Sequence, residues 1–408
     1  MKKILFLSEM PITNGVIQAQ LLPVLLEAAR LGYATEVLET IGRFDAQEKY
    51  RTEAEKKLTG AGIVLQKINV PRFTLLPSIL YFSLKLYQLF KKQLKDTESE
   101  SPVIYARNYK FIPFLLWAKY FWHISFIYSP RGAYVAERKY YRKFKDLLYA
   151  NAIGLLEKIA IRKSFSTIVE TEEFKKHLEK LYKLNEGHLT IIPNYWDATL
   201  LPDKNWRREE MRKKLGFTGK KVIVYTGTVE AWYEFEQMVD LVSRLRKKNP
   251  AIFFQLFLKE DYVRTESCGI LKTLPEIFEK YGFEKDSYAI SSYAPEERYR
   301  YLCACDAGIC LTTTAKFKTM MLYIKIVDFW GAGLPIIANK EIGIIEEMIE
   351  KTGTGALVDY TKWEESIAKI NPEKLFEKNN TYLEETARYS SEKVLPLYFD
   401  LFDKFFQK

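Results

Sequence analysis

The stretch "KKILFLSEMPITNGVIQAQLLPVLLEAARLGYATEVLE", Lys2 to Glu39, decides the fold. "KKILFLS" is a short apolar run of strand length. "GVIQAQLLPVLLEAARLG", Gly15 to Gly32, repeats its apolar residues at helical spacing and closes on a glycine, and "YATEVLE" then alternates as a second strand. Strand, helix and strand in so short a span form a βαβ unit, whose two strands lie parallel with a right-handed crossover. The chain therefore opens as a doubly wound parallel sheet.

The same grammar continues outward. Apolar strands follow at "GIVLQKI" (62–68), "PVIYAR" (102–107), "ISFIYS" (124–129), "STIVET" (166–171) and "LTIIPN" (189–194), with helical stretches between them. A polar, proline-punctuated passage, residues 194–220, then precedes a fresh strand, "KVIVYTG" (221–227), and the alternation restarts through "IFFQLFL" (252–258), "SYAISSY" (287–293), "DAGICLT" (306–312) and "PIIAN" (335–339). The expected organisation is a first Rossmann-like domain at 1–195, a linker at 196–219, a second Rossmann-like domain at 220–385, and a helix at 386–408 packing back on the first. Two doubly wound sheets set mouth to mouth enclose a cleft lined by the loops at their strand ends.

Composition bounds the function. With 48% hydrophobic and 28% charged residues among 408, the chain is globular and long enough for two cores. Lys plus Arg exceed Asp plus Glu by 62 to 52, so the charge of +10 favours anionic partners. The basic residues are spread along the chain without a recognition motif, which argues against nucleic acid. Cys268, Cys303, Cys305 and Cys310 sit in apolar surroundings and read as buried reduced thiols, pointing to the cytoplasm. "FIPFLLWAKYFWHISFIY" (111–128) is interrupted by Pro113, Lys119 and His123, short of the roughly 20 apolar residues a bilayer needs. The protein is expected to be soluble or peripheral.

The strand-end loops carry the candidate chemistry. Gly15, Gly227 and Gly343 each pair a glycine with a helix start, where main-chain N–H groups can meet an anion. Neither half has G-x-G-x-x-G or G-x-x-x-x-G-K-[ST], and there is no H-E-x-x-H, so no cofactor and no metal are expected. In "LYIKIVDFWGAGLPIIANKEIGIIEEMI" (322–349), Lys325 and Asp328 stand one helical turn apart at the mouth of an apolar turn. They are either an ion pair on a wet helix edge or part of a site.

"KIVDFWGAGLPIIANKEIG" (325–343) resembles the donor-binding element of GT-B glycosyltransferases, in particular glycosyltransferase family 4. "TIIPNYWD" (190–197) and "EERYRYLCACDAGICL" (296–311) support the resemblance, and "SPRGAYVAE" (129–137) and "YTGTVEAWYEFEQM" (225–238) look like a subgroup with R-G and W-Y in these loops. The resemblance implies that Asp328 receives the ribose hydroxyls of a nucleoside-diphosphate sugar and that Lys325 acts on the diphosphate. The chain departs from the pattern at Met320, where many members carry an acid, and at Thr228 and Trp232, where Arg and Lys often stand. Lys316, Lys318 and Lys325, with the Gly227 and Thr228 loop and Gly343, are expected to take over the donor phosphates. Arg131 either contacts the diphosphate or acceptor or pairs with Glu137.

The expected function is transfer of a sugar from a nucleoside-diphosphate sugar to a hydroxyl of a glycan or lipid-linked glycan. By resemblance the transfer is retaining and metal-independent, and it serves a bacterial surface polymer. Alternatives are a non-catalytic GT-B relative that binds a partner, and a sugar-nucleotide epimerase. The run "ERKYYRKFK" (137–145) gathers Arg138, Lys139, Arg142, Lys143 and Lys145 beside aromatic residues. It is expected to hold the protein to an anionic membrane surface, on the inner face of the plasma membrane.

Overall fold

A computed structural model describes residues 2–41, 48–69, 81, 83–89, 91, 102–130, 132–141, 144–185, 187–229, 232–258 and 274–407. The chain divides into two compact units, Met1–Pro193 with Val394–Lys408, and Asn194–Lys393.

The first unit is built on a parallel sheet of seven strands. They are β1 (Lys3–Ser8), β2 (Ala34–Ile41), β3 (Val64–Asn69), β4 (Val103–Arg107), β5 (Phe126–Ser129), β6 (Ser166–Val169) and β7 (Leu189–Ile191), in the order β3-β2-β1-β4-β5-β6-β7. The opening βαβ unit is present, with Leu5 in register with Glu36. Its helix, expected as one piece, is two: Gly15–Gln20 and Leu22–Arg30, broken at Leu21. Pro23 is the cause, since it lacks an N–H for the carbonyl four residues back and its ring crowds that carbonyl. The C-terminal helix Ser391–Phe406 returns to this unit. Phe402 packs edge-on against Phe6 and Tyr105, while Asp403 takes the Tyr33 hydroxyl at 2.7 Å.

The second unit has six parallel strands in the order β10-β9-β8-β11-β12-β13. These are β8 (Lys221–Gly227), β9 (Ile252–Leu258), β10 (Tyr288–Ser291), β11 (Ala307–Cys310), β12 (Ile336–Asn339) and β13 (Ala356–Val358). Val222 and Val224 face one layer of helices while Ile223 and Tyr225 face the other, the period of two expected of a sheet covered on both sides. β13, only three residues long, has no counterpart among the strands read from sequence. Residues 196–219 lie within this unit. There Arg212, 6% exposed, donates to the carbonyls of Ala304 and Phe217 and to Asp306.

Glycine sets the depth of the helix Ile324–Gly331 against β11. A Cβ on Gly308 would lie 2.4 Å from the Phe329 ring, so the ring rests directly on the strand backbone. At the helix end a Cβ on Gly331 would lie 2.8 Å from Trp196. No helix of the described residues is long and apolar enough to cross a membrane.

Candidate functional site

The second sheet reverses its strand order between β8 and β11, the place where open parallel sheets bind ligands at the carboxyl ends of their strands. β8 ends on Gly227 at a φ of +102°, a conformation other residues resist. Lys325 reaches that turn, because a Cβ on Gly227 would lie 3.8 Å from its Nζ. Though charged and in the first turn of the helix Ile324–Gly331, Lys325 is only 8% exposed. Its Nζ donates to the Tyr225 hydroxyl at 2.9 Å and lies 3.5 Å from the centre of the Tyr233 ring and 4.1 Å from that of Tyr225. A desolvated cation gains about 2 kcal/mol from an aromatic face, so the two rings hold this one in place.

The aromatic loop is fixed by backbone pairing. Tyr233 bridges Thr312 in antiparallel fashion, and the Thr313 N–H donates to the Trp232 carbonyl at 2.9 Å. Lys318 lies 4.1 Å over the Trp232 ring, and Lys316, in the same turn Lys316–Thr319, is exposed. Thr228 accepts the Tyr225 hydroxyl on its carbonyl. Gly227, Thr228, Lys318 and Lys325 are thus linked through Tyr225, Trp232 and Tyr233.

Asp328 lies one turn deeper and is 5% exposed, which removes the wet-edge alternative. Its Oδ1 accepts from Arg298 Nη1 at 2.7 Å and from the Tyr299 hydroxyl at 2.8 Å. The Tyr299 oxygen accepts the Asp197 N–H at 3.3 Å, tying the start of the second unit to this helix. Burial pushes the Asp328 carboxyl up, and Arg298 pulls it back. For Arg298 burial works against the charge, but Asp328 keeps the guanidinium above its ordinary range.

At the ends of β11 and β12, Asn339 Oδ1 accepts the Thr312 N–H at 2.9 Å, and the buried Thr312 Oγ1 has no hydrogen-bond partner among the described residues. Gly343 opens the helix Gly343–Thr352 without a side-chain cap. The N–H groups of that first turn are the kind an anion satisfies.

In the first unit Gly15 starts the short helix Gly15–Gln20, capped by Asn14 accepting from the Val16 N–H at 2.9 Å. Arg138 lies 5.0 Å over the Tyr134 ring and Lys139 is exposed. Arg131, Arg142 and Lys143 lie outside the described residues, as does the side chain of Lys145. At the mouth of this sheet Asn108 has φ +97° and ψ 149°, a strained backbone for a residue with a Cβ, costing roughly 1–3 kcal/mol.

Sequence reading assigned no role to Tyr225, Tyr233, Arg298, Tyr299, Thr312 or Asn339, although Tyr233 is the tyrosine of the W-Y loop. For Arg298 a signal existed, an arginine on the face of "EERYRYLCAC" that helical periodicity buries. Among the described residues no three His, Cys, Asp or Glu side chains gather as a metal site. Cys303 and Cys310 are free thiols pushed by burial to about 11, and Cys268 lies outside the described residues.

No protein-family model matches the chain, and no curated protein matches it in sequence. Solved structures do match. Sucrose-phosphate synthase from Thermosynechococcus elongatus superposes with a TM-score of 0.70 at 14% identity, over 100% of both chains. Anabaena HepE in complex with UDP-glucose gives 0.68 at 16% identity, over 99% of this chain and 100% of that one. A glycosyltransferase from Rickettsia africae gives 0.68 at 14% identity, over 99% and 98%. With its two parallel α/β sheets and a match to these structures over its whole length, the chain has the GT-B fold of glycosyltransferases.

Proposed function

We propose that the protein is a glycosyltransferase of the family 4 kind, moving a sugar from a nucleoside diphosphate to a glycan or lipid-linked glycan hydroxyl. The observation that carries this reading is the cation of Lys325, buried between two tyrosine rings at the carboxyl end of β8. A pre-placed, desolvated positive charge stabilises a departing diphosphate without reorganising as the bond to the sugar breaks. The uncapped turn at Gly343 and the Thr312 hydroxyl supply further donors, and Lys318 and Lys316 stand on the turn beside them. A ribose diol would meet Asp328 through Oδ2, because Oδ1 already holds Arg298 and Tyr299. With the diphosphate balanced by protein groups, transfer proceeds without a metal, and a phosphate oxygen takes the acceptor's proton on the retained face. HepE, solved with UDP and with UDP-glucose, supports a uridine donor.

The test is thermal unfolding with UDP, GDP, ADP and TDP in the presence of a chelator. One diphosphate at 100 times its Kd is expected to add about 2.7 kcal/mol of stability, read as a rise of a few degrees in Tm. No shift with any of them rejects the donor site. A shift that the chelator abolishes rejects metal independence.

The first unit is proposed to receive the acceptor at an anionic membrane surface. Leu148 and Leu155, seven residues apart on one face of the helix Phe144–Lys163, are 58% and 62% exposed, and Arg162 and Lys163 in its last turn are exposed. Exposed leucines beside cations suit insertion at headgroup depth, each cation adding about 1 kcal/mol near anionic lipid. Sedimentation with anionic but not neutral liposomes is expected, reversed by high salt and weakened in Leu148→Ser/Leu155→Ser and in Arg142→Ser/Lys143→Ser/Lys145→Ser. Equal recovery in the supernatant with both liposome types sinks the membrane claim.

A further inference from the structure

The second unit carries a cleft at the opposite end of its sheet from Lys325. The helix Phe235–Lys248 starts just after Tyr233, whose ring holds that lysine, and runs back to the amino end of β9. Its 14 residues span about 21 Å, so a small ligand at its last turn cannot reach the donor site. There, with the end of the helix Leu274–Lys280, it frames a cleft of about 510 Å³, a size that small-molecule sites share. Arg244, Arg246, Lys247 and Lys280 line it against one carboxylate, Asp240. Arg244 Nε donates to Asp240 Oδ1 at 2.8 Å and its Nη1 pairs with Glu364, while Lys280 pairs with Glu236. Arg246 and Lys247 form no ion pair among the described residues.

Arg246 is the better enclosed of the two. Its Nη1 donates to the Ile252 carbonyl and its guanidinium carbon lies 5.6 Å from the centre of the Phe283 ring, which leaves N–H groups of the fork without a partner among the described residues. Burial pulls its pKa below the ordinary value, although Asp286 and Glu284, both exposed, pull the other way. Basic residues in a last turn commonly answer the negative end of a helix, but a cation does that from water and gains nothing by desolvation. Arg246 is half-buried all the same, with the exposed Lys247 at the rim of the same cleft. The pairs to Glu364 and Glu236 are solvent-exposed and weak, so Arg244 and Lys280 can turn to a ligand as well. A guanidinium fork ringed by ammonium groups suits a phosphate, whose oxygens accept several charge-assisted hydrogen bonds at once.

We propose that this cleft binds the phosphate group of a small phosphate monoester, at a site separate from the donor's. The site does not rest on the transferase reading. Isothermal titration of the full chain with methyl phosphate, at constant ionic strength, tests it. One bound phosphate per chain is expected, unchanged by UDP and in Lys325→Met, and acetate at equal concentration should not bind. Arg246→Gln/Lys247→Gln should weaken the binding by about tenfold or more, the effect of losing a charge-assisted hydrogen bond. Lys247→Gln alone, a surface change that leaves the Arg246 contacts with Ile252 and Phe283 in place, should weaken it by about threefold with Tm unchanged. No binding, equal binding in both variants, or loss with UDP or in Lys325→Met would overturn the proposal. Vesicles of phosphatidic acid that sediment the wild type but not the double variant, with methyl phosphate inert, would assign these cations to a lipid headgroup and overturn it as well. Failure of UDP to bind, with the methyl phosphate site intact, would reject the donor reading and leave this site standing.

Discussion

Lys325→Met is expected to lower turnover of whichever sugar nucleotide the wild type uses by about 10²–10³-fold, with donor Kd changed far less. That is the usual effect of deleting one pre-placed charge-stabilising group, about 2.7–4 kcal/mol on the transition state. The fold should survive. Methionine fills most of the lysine's volume against the Tyr225 and Tyr233 rings, and the Tyr225 hydroxyl still donates to the Thr228 carbonyl. The loss would therefore appear in kcat and not in Tm. A folded variant that turns over within threefold of wild type would return Lys325 to a packing role.

Arg298→Ala should act in the opposite way, on stability first. It strands the Asp328 carboxylate, 5% exposed, with Tyr299 as its remaining donor of the two that Oδ1 holds. Breaking a buried pair from one side costs roughly 3–5 kcal/mol. Asp328→Ala strands Arg298 and should cost a similar amount. The paired change Arg298→Leu/Asp328→Leu removes both charges and should recover most of the loss. The pH dependence has a definite sign. Without Arg298, burial acts on Asp328 against the Tyr299 hydrogen bond only, so its folded pKa rises further above the unfolded value of about 3.9. Between those two values the native state binds the extra proton, and stability falls as pH rises. Denaturant unfolding of Arg298→Ala at pH 4 and pH 7 should show the larger deficit at pH 7. A deficit equal at both would show that the stranded Asp328 charge is not its cause, and no deficit at either would show that the pair contributes nothing.

Much of this architecture is written in local pattern. β9, Ile252–Leu258, coincides with its apolar run because a strand covered on both faces has no polar residues to blur its ends. The Lys325 helix and its following strand were legible because Gly331, Gly333 and Pro335 separate the two apolar runs. The break at Leu21 depended on one imino acid inside a good helical pattern, a local signal outweighed by its neighbours. The site was legible only in part. Lys325 and Asp328 could be picked out as charges among apolar residues, but not their partners. Arg298 lies 30 residues from Asp328, and Tyr225 lies 100 from Lys325. Such pairings are made by sheet order, which no local period encodes.

Gly308 brings one more consequence. Because the Phe329 ring lies on bare backbone there, the helix cannot sink further, and any side chain at 308 would lift it away. The helix height, and with it the level of the Lys325 charge, is a fixed datum of the sheet. The segments around the charge that are described, residues 228–229, 232–234 and 312–323, are free of that constraint. Donor preference can then drift by loop exchange while the leaving-group chemistry stays where it is. Grafting those segments from a homologue onto this chain should transplant its choice of nucleotide sugar in one step.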